Sequence, residues 1–128
     1  KYHSGGLWTN ACCSHPYPGE LVAAAAVRRL DEEMALRCHL EPMFSTAYRA
    51  ELGNGLIENE YVHVFGGLFD GSPEPNPSEV DAWRWQSLDE IIAETKSRPD
   101  EFTAWFAIYL ERFGPCFREV AAAARSAA

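Results

Sequence analysis

The sequence predicts an α+β domain in which helices lie on the faces of a mixed sheet. Three observations carry the prediction. Residues 43–51 and 56–66 alternate apolar and polar side chains on either side of Gly53-Asn54-Gly55, the signature of a hairpin. Residues 20–37 and the stretch after Pro99 space their apolar residues near a 3.6-residue period. Strand-like and helix-like segments alternate over 128 residues, a length that suits one domain, 1–128, and not two.

Residues 7–13 read as a strand, followed by a loop through His15-Pro16-Tyr17-Pro18-Gly19. Residues 20–37 read as a helix, because Ala23 to Ala26 favour it and Val22, Val27, Leu30, Met34 and Leu36 supply its apolar positions. The hairpin strands 43–51 and 56–66 come next, then a Pro- and Asp-rich loop over about 70–79. Ala82-Trp83-Arg84-Trp85 reads as a short strand. Ser87-Leu88-Asp89-Glu90 has the capping-box pattern and starts a helix to about residue 96. A last helix runs from Pro99 to about Phe113 with Phe102, Trp105, Phe106, Tyr109 and Leu110 on a broad apolar face. The Ala-rich tail after residue 119 continues as helix.

Composition narrows the function. The formal net charge of −8 argues against nucleic acid or an anionic membrane as partner. It also means that a phosphate ester would need a metal or a local cluster of Lys and Arg. No apolar run approaches twenty residues and no signal peptide is visible. The four cysteines, Cys12, Cys13, Cys38 and Cys116, do not have the spacing of a disulfide framework, so a reducing cytoplasm is expected.

Several residues have both a structural and a chemical reading. Glu58 and Glu60 lie two apart on a strand and share a face, opposite Ile57, Asn59 and Tyr61. They form either a solvated outer face or a pair held by a divalent cation. Arg28 with Glu32, and Arg29 with Glu33, are four apart on a helix and form either surface ion pairs or part of a ligand site. Cys13, Tyr48 and Trp105 are core residues or members of an acid/base site, and His15 is a loop residue or a ligand.

The joint pattern goes further. Counting from Ser14, five residues lead to Glu20 and seven more to Arg28, followed by Arg29-Leu30-Asp31-Glu32-Glu33-Met34-Ala35-Leu36. That spacing resembles the Nudix box, a loop–helix motif whose glutamates hold a divalent cation against a diphosphate. Ser14 and Ala35 stand where the box usually has Gly, and Arg29 stands where it has Glu. With Trp8-Thr9-Asn10-Ala11-Cys12-Cys13-Ser14-His15-Pro16, Tyr48-Arg49-Ala50, Glu58-Asn59-Glu60 and Phe102-Thr103-Ala104-Trp105, nearly the whole chain resembles type 1 isopentenyl-diphosphate isomerases.

The resemblance implies a Nudix-like α/β/α sandwich with a mixed sheet, incomplete at the amino end. It implies interconversion of isopentenyl and dimethylallyl diphosphate by protonation and deprotonation through a carbocation. Cys13 and Glu60 would be the acid/base pair, Tyr48 would orient the Glu60 carboxyl, and Trp105 would face the cation. His15, Glu58 and Glu60 would bind a divalent metal (magnesium, manganese or zinc), and Glu33 a magnesium ion that touches the diphosphate. Arg29 and Lys1 would bind the diphosphate. Two further histidines and another basic residue of the family's site fall upstream of Lys1, so the ligand set and the sheet are expected to be incomplete here. His63 lies on the strand face opposite Glu58 and Glu60 and does not replace them. Two other readings stay open at this stage: a Nudix hydrolase of a nucleoside diphosphate derivative, for which the altered box is unfavourable, and an inactive diphosphate-binding module.

Overall fold

The computed structural model describes residues 6–13, 15–53 and 55–127. Helix α1, Val22–Met34, leads into a long hairpin of β1, Leu40–Gly53, and β2, Leu56–Gly67. After a 20-residue stretch without regular structure come α2, Leu88–Ser97, a single 3-10 turn at Pro99–Glu101, and α3, Ala104–Ala127.

The α+β class stands. Among the described residues the sheet is a two-stranded antiparallel hairpin, and parallel pairing is limited to one bridge between Trp8 and Phe102. Gly53 and Gly55 both take positive φ, as the turn they flank requires; Asn54 itself lies outside the described residues. The register sets Tyr48 opposite Glu60 and Ala50 opposite Glu58. These four residues therefore share one face. α3 covers that face, and Tyr48, Ala50, Trp105 and Tyr109 form its buried centre, with Cys13, Phe44, Val62 and Val64 packed against them. Phe44 stacks on Phe113 with ring centroids 4.0 Å apart. Truncating a ring such as Trp105 at this centre would cost about 3–5 kcal/mol.

Four expectations are corrected. Residues 7–13 are not a strand. The Asn10 side chain donates to the Cys12 carbonyl at 3.0 Å and accepts from Thr9, which turns the segment into a loop. Among the described residues only Trp8 of this segment pairs, its N–H donating to the Glu101 carbonyl at 2.8 Å and its carbonyl accepting from Thr103 at 2.9 Å. Residues 82–85 are not a strand either. They are held by side chains, with Arg84 stacked 4.1 Å over the Trp8 ring and bonded to Glu94 at 2.9 Å. The first helix is shorter than 20–37, because Ala35 turns to φ 52 and closes it through an N–H bond to the Asp31 carbonyl at 2.9 Å.

The last helix, expected from Pro99, begins at Ala104, because Pro99–Glu101 form only a 3-10 turn and Phe102 is extended at φ −125. Ser87 caps α2 by accepting the Glu90 N–H. α3 breaks at Phe113 (φ −126, ψ 30), where the last helix was expected to stop, because Pro115 has no N–H to give and its ring clashes one turn back. The Ala-rich tail resumes as helix beyond the break. No helix among the described residues is long and apolar enough to cross a membrane.

Candidate active site

The functional side chains gather in two clusters that meet at the Cys12–Cys13 peptide. The first is built on the inner face of the hairpin. The Trp8 bridge and a 2.8 Å contact between the Thr9 and Thr103 hydroxyls pin the Cys13 loop to the start of α3. Thr103 is 1 % exposed, so this anchor is dry. Cys13 is thereby pressed against the Tyr48–Trp105 centre, with its Sγ 3.5 Å from Asn10 Oδ1.

Glu58 and Glu60 lie on this covered face and are half-buried, which overturns the reading of a solvated outer face. Glu60 Oε1 stands 3.7 Å from His15 Nε2. The resemblance assigns Tyr48 to Glu60; the structure instead has the Tyr48 hydroxyl donating to Glu58. Glu58 is the diagonal neighbour of Tyr48 across the hairpin, within reach of a long aromatic side chain. His63 is on the outer face, as expected, 2.8 Å from the Ser45 hydroxyl.

One member was not singled out from the sequence as a site residue. Tyr109, 4 % exposed, sits one helical turn after Trp105 and meets Tyr48 edge-on at 6.0 Å. Burial, then the nearby Cys13 thiol, pushes its phenol up, while a hydrogen bond with Tyr48 acts the other way. Burial, then the bond to Glu58, likewise pushes Tyr48 up. Both phenols are therefore neutral donors near pH 7. The spacing of Tyr109 from Trp105, i and i+4, was the available signal.

The second cluster surrounds the box helix. Arg28 grips Glu20 with two bonds of 2.8 and 2.9 Å, bonds Glu32 at 2.8 Å, and stacks 3.9 Å over Tyr17. Its guanidinium, with the Tyr17 N–H, holds Glu20 down at about 2. This pins the loop 17–20 to α1. Arg29 donates to Glu32 at 3.3 Å, Glu33 at 3.1 Å and Glu79 at 2.8 Å. Its Nε is buried without a partner among the described residues. Three carboxylates thus enclose the Arg29 guanidinium.

Glu33, 8 % exposed, also accepts from the Cys12 thiol. Burial, then that bond, pushes the Cys12 thiol up and keeps it protonated. Glu79 arrives on a loop docked to the end of α1 by Asn76 N–H to Glu33 carbonyl, 2.8 Å, and Glu74 N–H to Met34 carbonyl, 2.9 Å. No sequence spacing links Arg29 to Glu79, fifty residues away. Lys1 and Ser14 lie outside the described residues.

The metal reading can be tested on these side chains. Among the described residues, no three His, Cys, Asp or Glu side chains converge closely enough to hold an ion. The donors that are present fit in kind. His15 and Glu60 offer one nitrogen and carboxylate oxygens suited to manganese, zinc or magnesium, and Glu58 adds a second carboxylate on the same face. Two like charges on one covered face also call for a cation or a proton between them.

Comparison with known proteins identifies the family. The NUDIX domain family matches residues 1–106. The chain is 55 % identical over 112 residues to an isopentenyl-diphosphate Delta-isomerase of Pectobacterium atrosepticum, covering 88 % of this chain and 63 % of the relative. It is 51 % identical over 116 residues to isopentenyl-diphosphate Delta-isomerase 2 of Aromatoleum aromaticum, covering 91 % and 61 %. With isopentenyl-diphosphate Delta-isomerase 1 of the same organism it shares 49 % over 119 residues, covering 93 % and 67 %. The chain thus spans under two thirds of the first two relatives and about two thirds of the third. The chain belongs to the NUDIX domain family and, within it, to the isopentenyl-diphosphate Delta-isomerases.

Proposed function

We propose that this chain carries an isomerase centre that interconverts isopentenyl and dimethylallyl diphosphate, a step of isoprenoid biosynthesis. The observation that carries the proposal is the gathering of Cys13, Tyr48, Glu58, Glu60 and Trp105 on one covered face of the hairpin. An unactivated alkene needs a proton donor, a proton acceptor, exclusion of water and an electron-rich surface, and this set offers all four.

The reaction balances without a redox partner. A proton added to the terminal methylene leaves a tertiary carbocation, and loss of a proton from the neighbouring methylene moves the double bond. Cys13 and Glu60 exchange these protons. The Tyr48 hydroxyl holds Glu58, so the carboxylate next to Glu60 keeps a fixed orientation. The Trp105 face stabilises the cation by about 2 kcal/mol when desolvated. A divalent ion (magnesium, manganese or zinc) would be held by His15, Glu58 and Glu60, and a magnesium ion by Glu33. Such ions supply charge neutralisation for carboxylates and diphosphate. Arg29 and Lys1 are the proposed diphosphate cations. Four unbridged cysteines support a reducing, cytoplasmic setting.

The test is isomerisation in heavy water with magnesium, followed by NMR. Deuterium in the new methyl group of dimethylallyl diphosphate, lost in Cys13→Ala, is the expected result. Release of phosphate, or no exchange by the folded protein with metal present, overturns the proposal.

A further inference from the structure

We propose that Glu79 is a positioning residue that holds Arg29 while the site is empty and is displaced from it by the diphosphate. This rests on the diphosphate reading above and adds a residue that no motif of the chain contains.

A guanidinium has five N–H groups. Both groups on Nη2 are engaged, by Glu33 and Glu79, one on Nη1 goes to Glu32, and Nε is buried. An incoming diphosphate cannot be gripped by two parallel bonds until one carboxylate leaves. Glu33 is the least able to move, its side chain 10 % exposed and also bonded by Cys12. Glu32 is shared with Arg28 at 2.8 Å. Glu79 has the shortest bond to Arg29, yet its side chain is 34 % exposed and comes from a loop.

That loop need not move. Its backbone is fixed to the end of α1 at Glu74 and Asn76, and the Asn76 side chain accepts from the Ser78 N–H at 3.1 Å and the Ser78 hydroxyl at 2.8 Å. A turn of the Glu79 side chain alone releases Arg29. Charge favours the same exchange. Arg28 and Arg29 face the four carboxylates Glu20, Glu32, Glu33 and Glu79, so turning Glu79 away removes one negative charge from beside the arginine that the diphosphate would meet. Glu79 thus keeps the guanidinium aligned and lowers the affinity that Arg29 would otherwise give.

The test is calorimetric titration of the protein with inorganic diphosphate in magnesium, with no isomerisation required. Glu79→Gln and Glu79→Ala should bind diphosphate about fivefold more tightly, the scale of one half-exposed ion pair, with a melting temperature near wild type. In an Arg29→Ala background the gain should vanish. Equal or weaker binding by a folded Glu79 variant, or a gain that survives Arg29→Ala, overturns the role. If wild type binds no diphosphate, the diphosphate reading falls and this role with it. If wild type binds but does not isomerise and the gain is present, only the isomerase reading falls.

Discussion

Tyr48 donates its hydroxyl hydrogen to Glu58, although Glu60 is the residue directly opposite it in the hairpin. Glu60 is left to face His15 at 3.7 Å. The two carboxylates of one strand face therefore have different partners, a neutral phenol for one and an imidazole for the other. Such a division lets adjacent carboxylates take different tasks.

Removing the phenol tests this division. Tyr48→Phe keeps the ring in the core but leaves Glu58 without that donor. Isomerisation should fall at least tenfold, while stability changes by about 1–2 kcal/mol. Matched rate measurements and thermal melts check it. A rate within twofold of wild type would show that the Tyr48–Glu58 bond is not used.

The adjacent thiols should behave differently. Cys12 is kept protonated by burial and by Glu33. It should resist iodoacetamide at pH 9, where an ordinary exposed thiol reacts readily. Cys12→Ala should retain isomerisation that Cys13→Ala loses. Peptide mapping after alkylation, with assays of both variants, gives the answer; rapid labelling of Cys12 in the folded protein contradicts the geometry.

Alkaline pH should destabilise the fold. Cys12, Tyr48 and Tyr109 are all raised above their ordinary values of 9.0, 10.0 and 10.0, chiefly by burial. Above those values the unfolded chain loses protons that the folded chain keeps, so the equilibrium moves towards unfolding. Their contribution is whole below about pH 9 and declines as pH rises past it. Urea melts between pH 8 and 11 should show falling stability, and the Tyr48→Phe, Tyr109→Phe double variant should show a shallower decline.

Ala35 holds a left-handed conformation that costs an alanine about 1 kcal/mol. Ala35→Gly should therefore raise stability by about that amount, because glycine adopts the same φ without strain. Denaturant melts measure it, and a loss of stability would mean that the Ala35 methyl group contributes contacts worth more than the strain.

Local patterns determined much of this protein in advance. The Ser87 cap, the hairpin around Gly53 and Gly55, and the break near Phe113 each depend on residues a few positions apart, whose backbone preferences act without the rest of the fold. Alternation likewise put Glu58 and Glu60 on one face. Strand periodicity has no information about which face a helix will cover, so only the packing of α3 decided that they point inward, beside Cys13. The Trp8 segment reads as a strand because its composition suits one, but a strand needs a partner along its length, and among the described residues it has one at a single position. Arg29 shows the same limit. Its bond to Glu33 follows from helix spacing, whereas its bond to Glu79 exists because a distant loop docks on the end of α1. Contacts within one helical turn or one hairpin register are written in the order of residues; contacts between elements depend on how the whole chain buries its apolar surface, and only the tertiary structure supplies them.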